Sequence, residues 1–203
     1  MKRGRLIALE GLDGCGKSTQ AERIAAALRA AGRDVVPTRE PTDGPVGRRI
    51  RAMARSGERV AALEELGWFL EDRREHVARV IAPALEAGRW VITDRYFLST
   101  VAYQGARGLA WREILERSEA EFPLPDVALL FELPAEEGLV RVDARGAPAE
   151  PVFERADHLA KVAAIFAALE LPYLERIDAA GEVTEVTDRA LAALERRLRY
   201  STS

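Results

Sequence analysis

Residues 11–18, Gly-Leu-Asp-Gly-Cys-Gly-Lys-Ser, fit the pattern G-x-x-x-x-G-K-[ST]. An apolar run, Leu6–Leu9, leads into them and an Ala- and Leu-rich stretch follows, so strand, loop and helix come in the order a phosphate-binding loop needs. Glycines at 11, 14 and 16 permit backbone angles that a Cβ would penalise, which lets successive N–H groups turn inward toward phosphate oxygens at the positive end of the next helix. Lys17 then supplies a mobile charge for the β- and γ-phosphates, and the Ser18 hydroxyl is placed to ligate Mg²⁺. A plain glycine-rich turn needs neither the Lys-Ser pair nor its flanking elements in this order.

Two further groups could do chemistry with such a loop. Asp94 and Arg95 follow the apolar run 89–93; from a strand end the carboxylate can reach a metal directly or through water, and the guanidinium can face a phosphate. Phe69, Arg73 and His76 recur at i, i+4 and i+7, so they share one helical stripe beside the core positions Leu63, Leu66, Leu70 and Val77. An aromatic ring one turn from a guanidinium suits a ligand with a flat base and a phosphate. In isolation that stripe reads as core plus solvated charge; the other segments make it a site. Cys15 is expected to fill a tolerant loop position, and His76 and His158, which lack metal-ligand spacing, to serve in packing or at the surface.

The elements that must position these residues alternate. Strands are expected at 5–9, 34–38, 89–93, 126–132 and 182–186, each short and rich in Val, Ile and Leu. Helical patterns fill 17–31, 45–55, 59–87, 111–121, 135–144, 153–179 and 188–199, with Gly32 and Gly88 where a left-handed C′ residue is wanted. This predicts an α/β fold of the P-loop type: a five-stranded parallel sheet with helices on both faces. Ligands on such sheets bind at the carboxyl ends of the strands. One domain over 1–203 is expected, with a short flexible lid at approximately 141–153, where Gly and Pro interrupt the pattern.

Composition narrows the class. A net charge of −3 gives no general attraction to nucleic acid or anionic membrane, so anion binding must come from local groups. One cysteine excludes an intramolecular disulfide, and one cysteine with two histidines argues against structural zinc. The basic N-terminus is followed by too short an apolar run for a signal peptide, and no stretch is long enough to span a bilayer; a cytoplasmic location is the expectation.

Taken together, Glu10–Gln20, Thr38-Arg-Glu-Pro41, Phe69-Leu-Glu-Asp-Arg-Arg-Glu-His76 and Asp94-Arg-Tyr-Phe-Leu-Ser-Thr-Val-Ala-Tyr-Gln104 resemble the thymidylate kinases, P-loop enzymes that phosphorylate dTMP to dTDP. The matches cover the N-terminal half in the family's order and spacing; the C-terminal half matches weakly, mainly as a helix-rich pattern with Pro125-Asp126 before a strand. The resemblance implies ATP on Gly11, Leu12, Asp13, Gly14, Cys15, Gly16, Lys17, Ser18 and Thr19, with Mg²⁺ held at Ser18 and Asp94. It implies thymine stacked on Phe69, Arg73 on the acceptor's base or phosphate, and Arg51 and Arg95 on the acceptor phosphate. Ser99, Thr100 and Gln104 would line the base pocket, Tyr103 would crowd the deoxyribose, Asp13 would lie near the 3′-hydroxyl and the metal, and Glu40 near the acceptor and metal-bound water. In the family the peptide before the matching Pro41 can be cis, and the assembly is a homodimer.

Two departures bear on mechanism. Many bacterial members carry Gly-Gly where this chain has Thr42-Asp43, and the variable positions of the phosphate loop hold no arginine here. Charge on the transferred phosphoryl group must then be met by Lys17, Arg95 and lid arginines, of which Arg141 and Arg145 are the expected pair and Arg155 a weaker third. The rivals are a deoxynucleoside kinase, which needs a carboxylate base and has less use for three arginines, and a catalytically weak nucleotide-binding regulator.

Overall fold

The computed structural model describes residues 3–57, 60–134, 137 and 152–199, with only the backbone at 152–155. Five strands, β1 (Leu6–Gly11), β2 (Val35–Arg39), β3 (Trp90–Asp94), β4 (Val127–Glu132) and β5 (Leu174–Asp178), form one parallel sheet in the order β2-β3-β1-β4-β5. Around it lie α1 (Lys17–Ala30), α2 (Pro45–Ser56), α3 (Ala62–His76), a π-helical segment Val77–Ile81 running into α4 (Ala82–Glu86), α5 (Phe97–Ala106), α6 (Trp111–Glu121), α7 (Val152–Ala167) and α8 (Val183–Leu198).

Because the strands are covered on both faces, alternate residues of one strand serve two cores. Leu6, Ala8, Val91, Ala128 and Leu130 pack with Leu66 and Leu70 of α3, Val101 of α5 and Leu159, Val162 and Phe166 of α7. Ile7, Leu9, Ile92, Leu129 and Phe131 pack on the other side with Ile24 and Leu28 of α1 and Ala190 and Leu194 of α8. The central strand β1 is buried along its whole length, and the chain that leaves it carries the phosphate loop into the crevice between the sheet and α1.

The last strand corrects the sequence expectation. Residues 182–186 are not a strand but the start of α8: the Glu182 side chain accepts from the backbone N–H of Glu185, whose own carboxylate reaches back to the N–H of Glu182. Val186, Ala190, Ala193 and Leu194 are then buried at helical spacing. The fifth strand is Leu174–Asp178, inside the span expected to be one helix over 153–179. That helix ends at Ala167; Pro172 cannot continue it, and the Arg176 Nη2 donates to the carbonyls of Phe166, Ala167 and Leu169 at its frayed end. Pairing with β4 from Ala128↔Leu174 to Glu132↔Asp178 completes the sheet. The segment after β3, read in the sequence only for its residue types, forms α5. Apart from residue 137, the expected helix 135–144 falls outside the described residues, as does nearly all of the lid span.

Candidate functional site

The phosphate loop is built by steric necessity at its first glycine. Gly11 has φ 139°, and a Cβ there would lie 2.5 Å from the Phe131 carbonyl oxygen and 2.9 Å from Cys15 Sγ. Gly14 and Gly16 also have positive φ, at 84° and 91°, so the loop curls back before α1 begins at Lys17. Leu12 and Cys15 are buried beneath it, while Asp13, Ser18 and Thr19 face outward. Buried Lys17 folds over the loop, its Nζ donating to the Leu12 carbonyl at 2.7 Å with Cys15 Sγ at 3.6 Å.

At the end of β3 the Ser18 hydroxyl donates to Asp94 Oδ2 at 2.5 Å, and Asp94 Oδ1 is buried without a hydrogen-bond partner among the described residues. An orphaned carboxylate oxygen beside a hydroxyl is a hard-oxygen donor set. It fits Mg²⁺, which keeps several waters and needs few protein ligands. Thus the two expected metal residues are brought together. Among the described residues no group of three or more His, Cys, Asp or Glu side chains could hold a metal.

Beside the loop lies a cavity of ≈ 280 Å³ between α2, α3 and α5. All ten expected acceptor residues line it: Asp13, Glu40, Arg51, Phe69, Arg73, Arg95, Ser99, Thr100, Tyr103 and Gln104. Arg73, 1% exposed, is gripped by Glu40 Oε2, which accepts from its Nε at 2.9 Å and its Nη2 at 2.6 Å; Nη2 also donates to Thr100 Oγ1 at 2.9 Å. Its Nη1 is buried and unpartnered among the described residues, and so is Gln104 Oε1. One unmet donor and one unmet acceptor therefore belong to two residues that line the cavity.

Arg95 closes the side nearest the phosphate loop. It adopts a left-handed backbone, φ 71°, costly for a residue with a Cβ and held here by bonds from its N–H to the Leu9 carbonyl and from Thr93 Oγ1 to its own carbonyl. Its guanidinium donates to Asp13 Oδ1 at 2.6 Å and Ser99 Oγ at 2.9 Å, and Tyr103 OH donates to Asp13 Oδ2 at 2.9 Å. Against the upward push of desolvation, Arg95 and then Lys17 hold the Asp13 carboxyl at about 2. Burial likewise pushes Glu40 upward, but Arg73 and His76 more than offset it and keep that carboxyl below its usual range.

Arg51 lines the cavity too, yet its donors are engaged: Nη1 reaches the carbonyls of Pro41 and Thr42, and Nη2 lies 2.8 Å from Asp43 Oδ1. The Glu40–Pro41 peptide is cis. Thr42 is clamped to α3, its N–H and hydroxyl donating to the two oxygens of Asp72 at 2.8 and 2.5 Å. Thr42 and Asp43 thus order this loop through α3 and two arginines, because Arg39 also donates to Asp43 Oδ1.

A family model described as thymidylate kinase matches residues 9–190. The chain belongs to the thymidylate kinase family. It is 46% identical over 183 residues to a thymidylate kinase of Desulfotalea psychrophila, covering 90% of each chain. With one from Xanthomonas euvesicatoria pv. vesicatoria it shares 50% identity over 191 residues, 94% of this chain and 83% of the other. A third, from Xanthomonas campestris pv. campestris, is 48% identical over 200 residues, 97% of this chain and 87% of that one.

Two residues of this thymidylate kinase-family site escaped a reading of residue types, and a third, His76, was placed on the stripe with its partners unread. Glu10, buried inside β1, accepts from the N–H groups of Tyr96 and Leu98 and from the Ser99 hydroxyl, fixing the start of α5; desolvation raises its carboxyl to about 7. A charged residue within an otherwise apolar strand was the available signal. Asp72, the anchor for Thr42, gave none, since it sits among charged neighbours. His76 was expected to pack, yet it bonds Glu40 and Thr38. His158, expected only to pack or lie at the surface, lines the acceptor cavity with its ring edge-on to Tyr103 at 6.1 Å. Arg141 and Arg145 lie outside the described residues, as does the Arg155 side chain.

Proposed function

We propose that the protein transfers the γ-phosphoryl group of ATP to the 5′-phosphate of dTMP, giving dTDP and ADP. The observation that carries this is that two residues lining the acceptor cavity each keep an unmet polar group, Arg73 Nη1 as donor and Gln104 Oε1 as acceptor. Thymine offers a carbonyl oxygen and an adjacent ring N–H, which satisfy both. Cytosine offers an amino group and a bare ring nitrogen, which satisfy neither, and a buried polar group left unpaired costs roughly 1–3 kcal/mol. Phe69 gives the base a face to stack on, and Tyr103 stands where the sugar would pass.

The triphosphate lies along the loop 11–18, where backbone N–H groups and Lys17 meet its β- and γ-oxygens. Ser18 and Asp94 would hold Mg²⁺, which would neutralise phosphate charge. Arg51 and Arg95 receive the acceptor phosphate and set it in line with the γ-phosphorus. A phosphate monoester is largely ionised at neutral pH, so no strong base is required. Both nearby carboxylates are committed elsewhere: Glu40 to Arg73 and His76, Asp13 to Arg95 and Tyr103. That disfavours a kinase acting on a free nucleoside hydroxyl, which would need one of them as a base.

The same proposal includes one domain, a lid over about 141–153 whose Arg141 and Arg145 approach the transferred group, and a cytoplasmic location. It also includes a homodimer, as the resemblance implies; Leu63, expected as a core position, is instead 72% exposed at the start of α3, one turn before the buried Leu66. Among the described residues no helix is long and apolar enough to cross a membrane. The deciding experiment measures ADP release from ATP·Mg²⁺ with dTMP, dUMP, dCMP, AMP, thymidine or no acceptor. Strong dependence on dTMP with little background is expected. Preference for thymidine would mean a nucleoside kinase, and ATP binding without acceptor-dependent turnover would mean a regulator.

A further inference from the structure

Beyond the acceptor cavity lies a second, of ≈ 580 Å³, whose lining includes Ser18, Thr38, His76, Arg79 and Asp94. The partition between the two is polar and continuous. His76, 3% exposed, places Nε2 2.7 Å from Thr38 Oγ1 and Nδ1 2.9 Å from Glu40 Oε1. A carboxylate can only accept, so the hydrogen of that second bond is on Nδ1. Glu40 then presents its other oxygen, Oε2, to Nε and Nη2 of Arg73. Each oxygen of Glu40 has its own partner on its own side. Turning the carboxylate would break both sets of bonds at once.

We infer that His76 is a positioning residue for the acceptor: its Nδ1–H holds Glu40 Oε1, which fixes the carboxylate plane and so the set of the Arg73 guanidinium at the wall of the acceptor cavity. This rests on the reading that Arg73 meets the dTMP base. A packing role would be filled by any flat ring of similar size. The directional demand comes from one nitrogen: the Nδ1 bond acts on Glu40, whereas the Nε2 bond secures only the ring's own tilt through Thr38. The two nitrogens are therefore separable by substitution. Asparagine puts an amide nitrogen where Nδ1 stands, and glutamine puts one where Nε2 stands. Truncation to alanine opens the Glu40 oxygen toward the second cavity, which is large enough to admit free imidazole.

The test measures KM for dTMP, KM for ATP, kcat and melting temperature for His76→Asn, His76→Gln, His76→Ala with and without imidazole, and Thr38→Val. His76→Gln and His76→Ala should raise KM for dTMP about tenfold and leave KM for ATP within about twofold, as expected for loss of one charge-assisted hydrogen bond acting on one substrate. His76→Asn and Thr38→Val should stay within about threefold of the parent, and imidazole should recover most of the loss in His76→Ala. An unchanged KM for dTMP in His76→Ala would overturn the assignment. So would equal losses in His76→Asn and His76→Gln, or losses for both substrates that simply follow melting temperature. Arg73→Ala is the separate control: if it leaves KM for dTMP unchanged, the acceptor reading itself fails, whereas a large effect there beside a silent His76→Ala removes His76 alone.

Discussion

Arg95 Nη2 lies 2.6 Å from Asp13 Oδ1, so one ion pair ties the phosphate loop to the left-handed turn after β3. The pair aims a guanidinium that would otherwise swing freely at the edge of the acceptor cavity. Asp13→Asn should therefore lower kcat/KM for dTMP by about tenfold while sparing ATP affinity, measured by steady-state kinetics with each substrate varied in turn. It should also change acid stability in a defined direction. Asp13 titrates at about 2 when folded, below its ordinary 3.8, so its contribution is present above the ordinary value and is lost as pH falls from about 4 toward 2. The stability gap between parent and variant should close over that window and be flat above it.

Glu10 has the opposite sign. Its folded value of about 7 exceeds the ordinary 4.5, so its contribution is full below 4.5 and is lost as pH rises through 7. For this wholly buried group the change amounts to about 3 kcal/mol. In Glu10→Gln the amide can accept from Tyr96 and Leu98 and donate to Ser99 without ionising. Chemical denaturation between pH 4.5 and 8 should show the parent losing stability relative to Glu10→Gln as pH rises; a constant gap would remove Glu10 as the source.

Lys17 rests on the Leu12 carbonyl and is 6% exposed, so it is held over the loop before any phosphate arrives. Lys17→Ala removes a charge aimed at the transferring group, and kcat should fall on the order of a hundredfold or more with the melting temperature little changed. Unaltered turnover would take Lys17 out of the catalytic set.

How much of this was legible in the chain depended on whether a residue acts through its own local pattern or through distant partners. The loop 11–18 was legible because strand, glycines and Lys-Ser are contiguous. Of the acceptor set, Phe69 and Arg73 were legible because they share a helical stripe, whereas Ser99, Thr100 and Gln104 were reached only through the family resemblance. The fifth strand was not: Leu174–Asp178 carries three charged residues and follows a helix with no glycine stop, while Val183 and Val186 look strand-like until Glu182 and Glu185 are seen capping each other. Glu10 and Asp72 stayed hidden for a related reason, as did the partners of His76, whose place on the stripe was visible. Each works through groups 30 to 89 positions away in the chain, and no spacing announces them.

Gln104 lines the acceptor cavity and its Oε1 is buried without a partner among the described residues, so Gln104→Leu should cost dTMP about tenfold in kcat/KM by removing the proposed acceptor for the ring N–H. Discrimination against dCMP should shrink as well, because the same change removes the group that dCMP leaves unsatisfied. The comparison is the ratio of kcat/KM for dTMP and dCMP in parent and variant. An unchanged ratio would mean that base selection lies in the Arg73 contact alone.

Asp43 supplies the prediction with the least expected direction. Its carboxylate accepts from Arg51 Nη2 at 2.8 Å and from Arg39 Nη2 at 2.9 Å, and Arg39, then Arg51 and Arg48, hold it below the usual carboxylate range. In the proposed reaction Arg51 must meet the acceptor phosphate, so Asp43 competes for the same donor from the solvent side. Asp43→Asn keeps the shape of the loop, leaves Thr42 clamped to Asp72, and withdraws the negative charge. KM for dTMP should fall by about threefold, a modest change because the pair is exposed and screened, and the gain should vanish at high salt. KM for ATP should not move. A rise in KM for dTMP would show instead that Asp43 holds Arg51 in its working position, making the acidic residue at 43 a support for the acceptor arginine and not its rival.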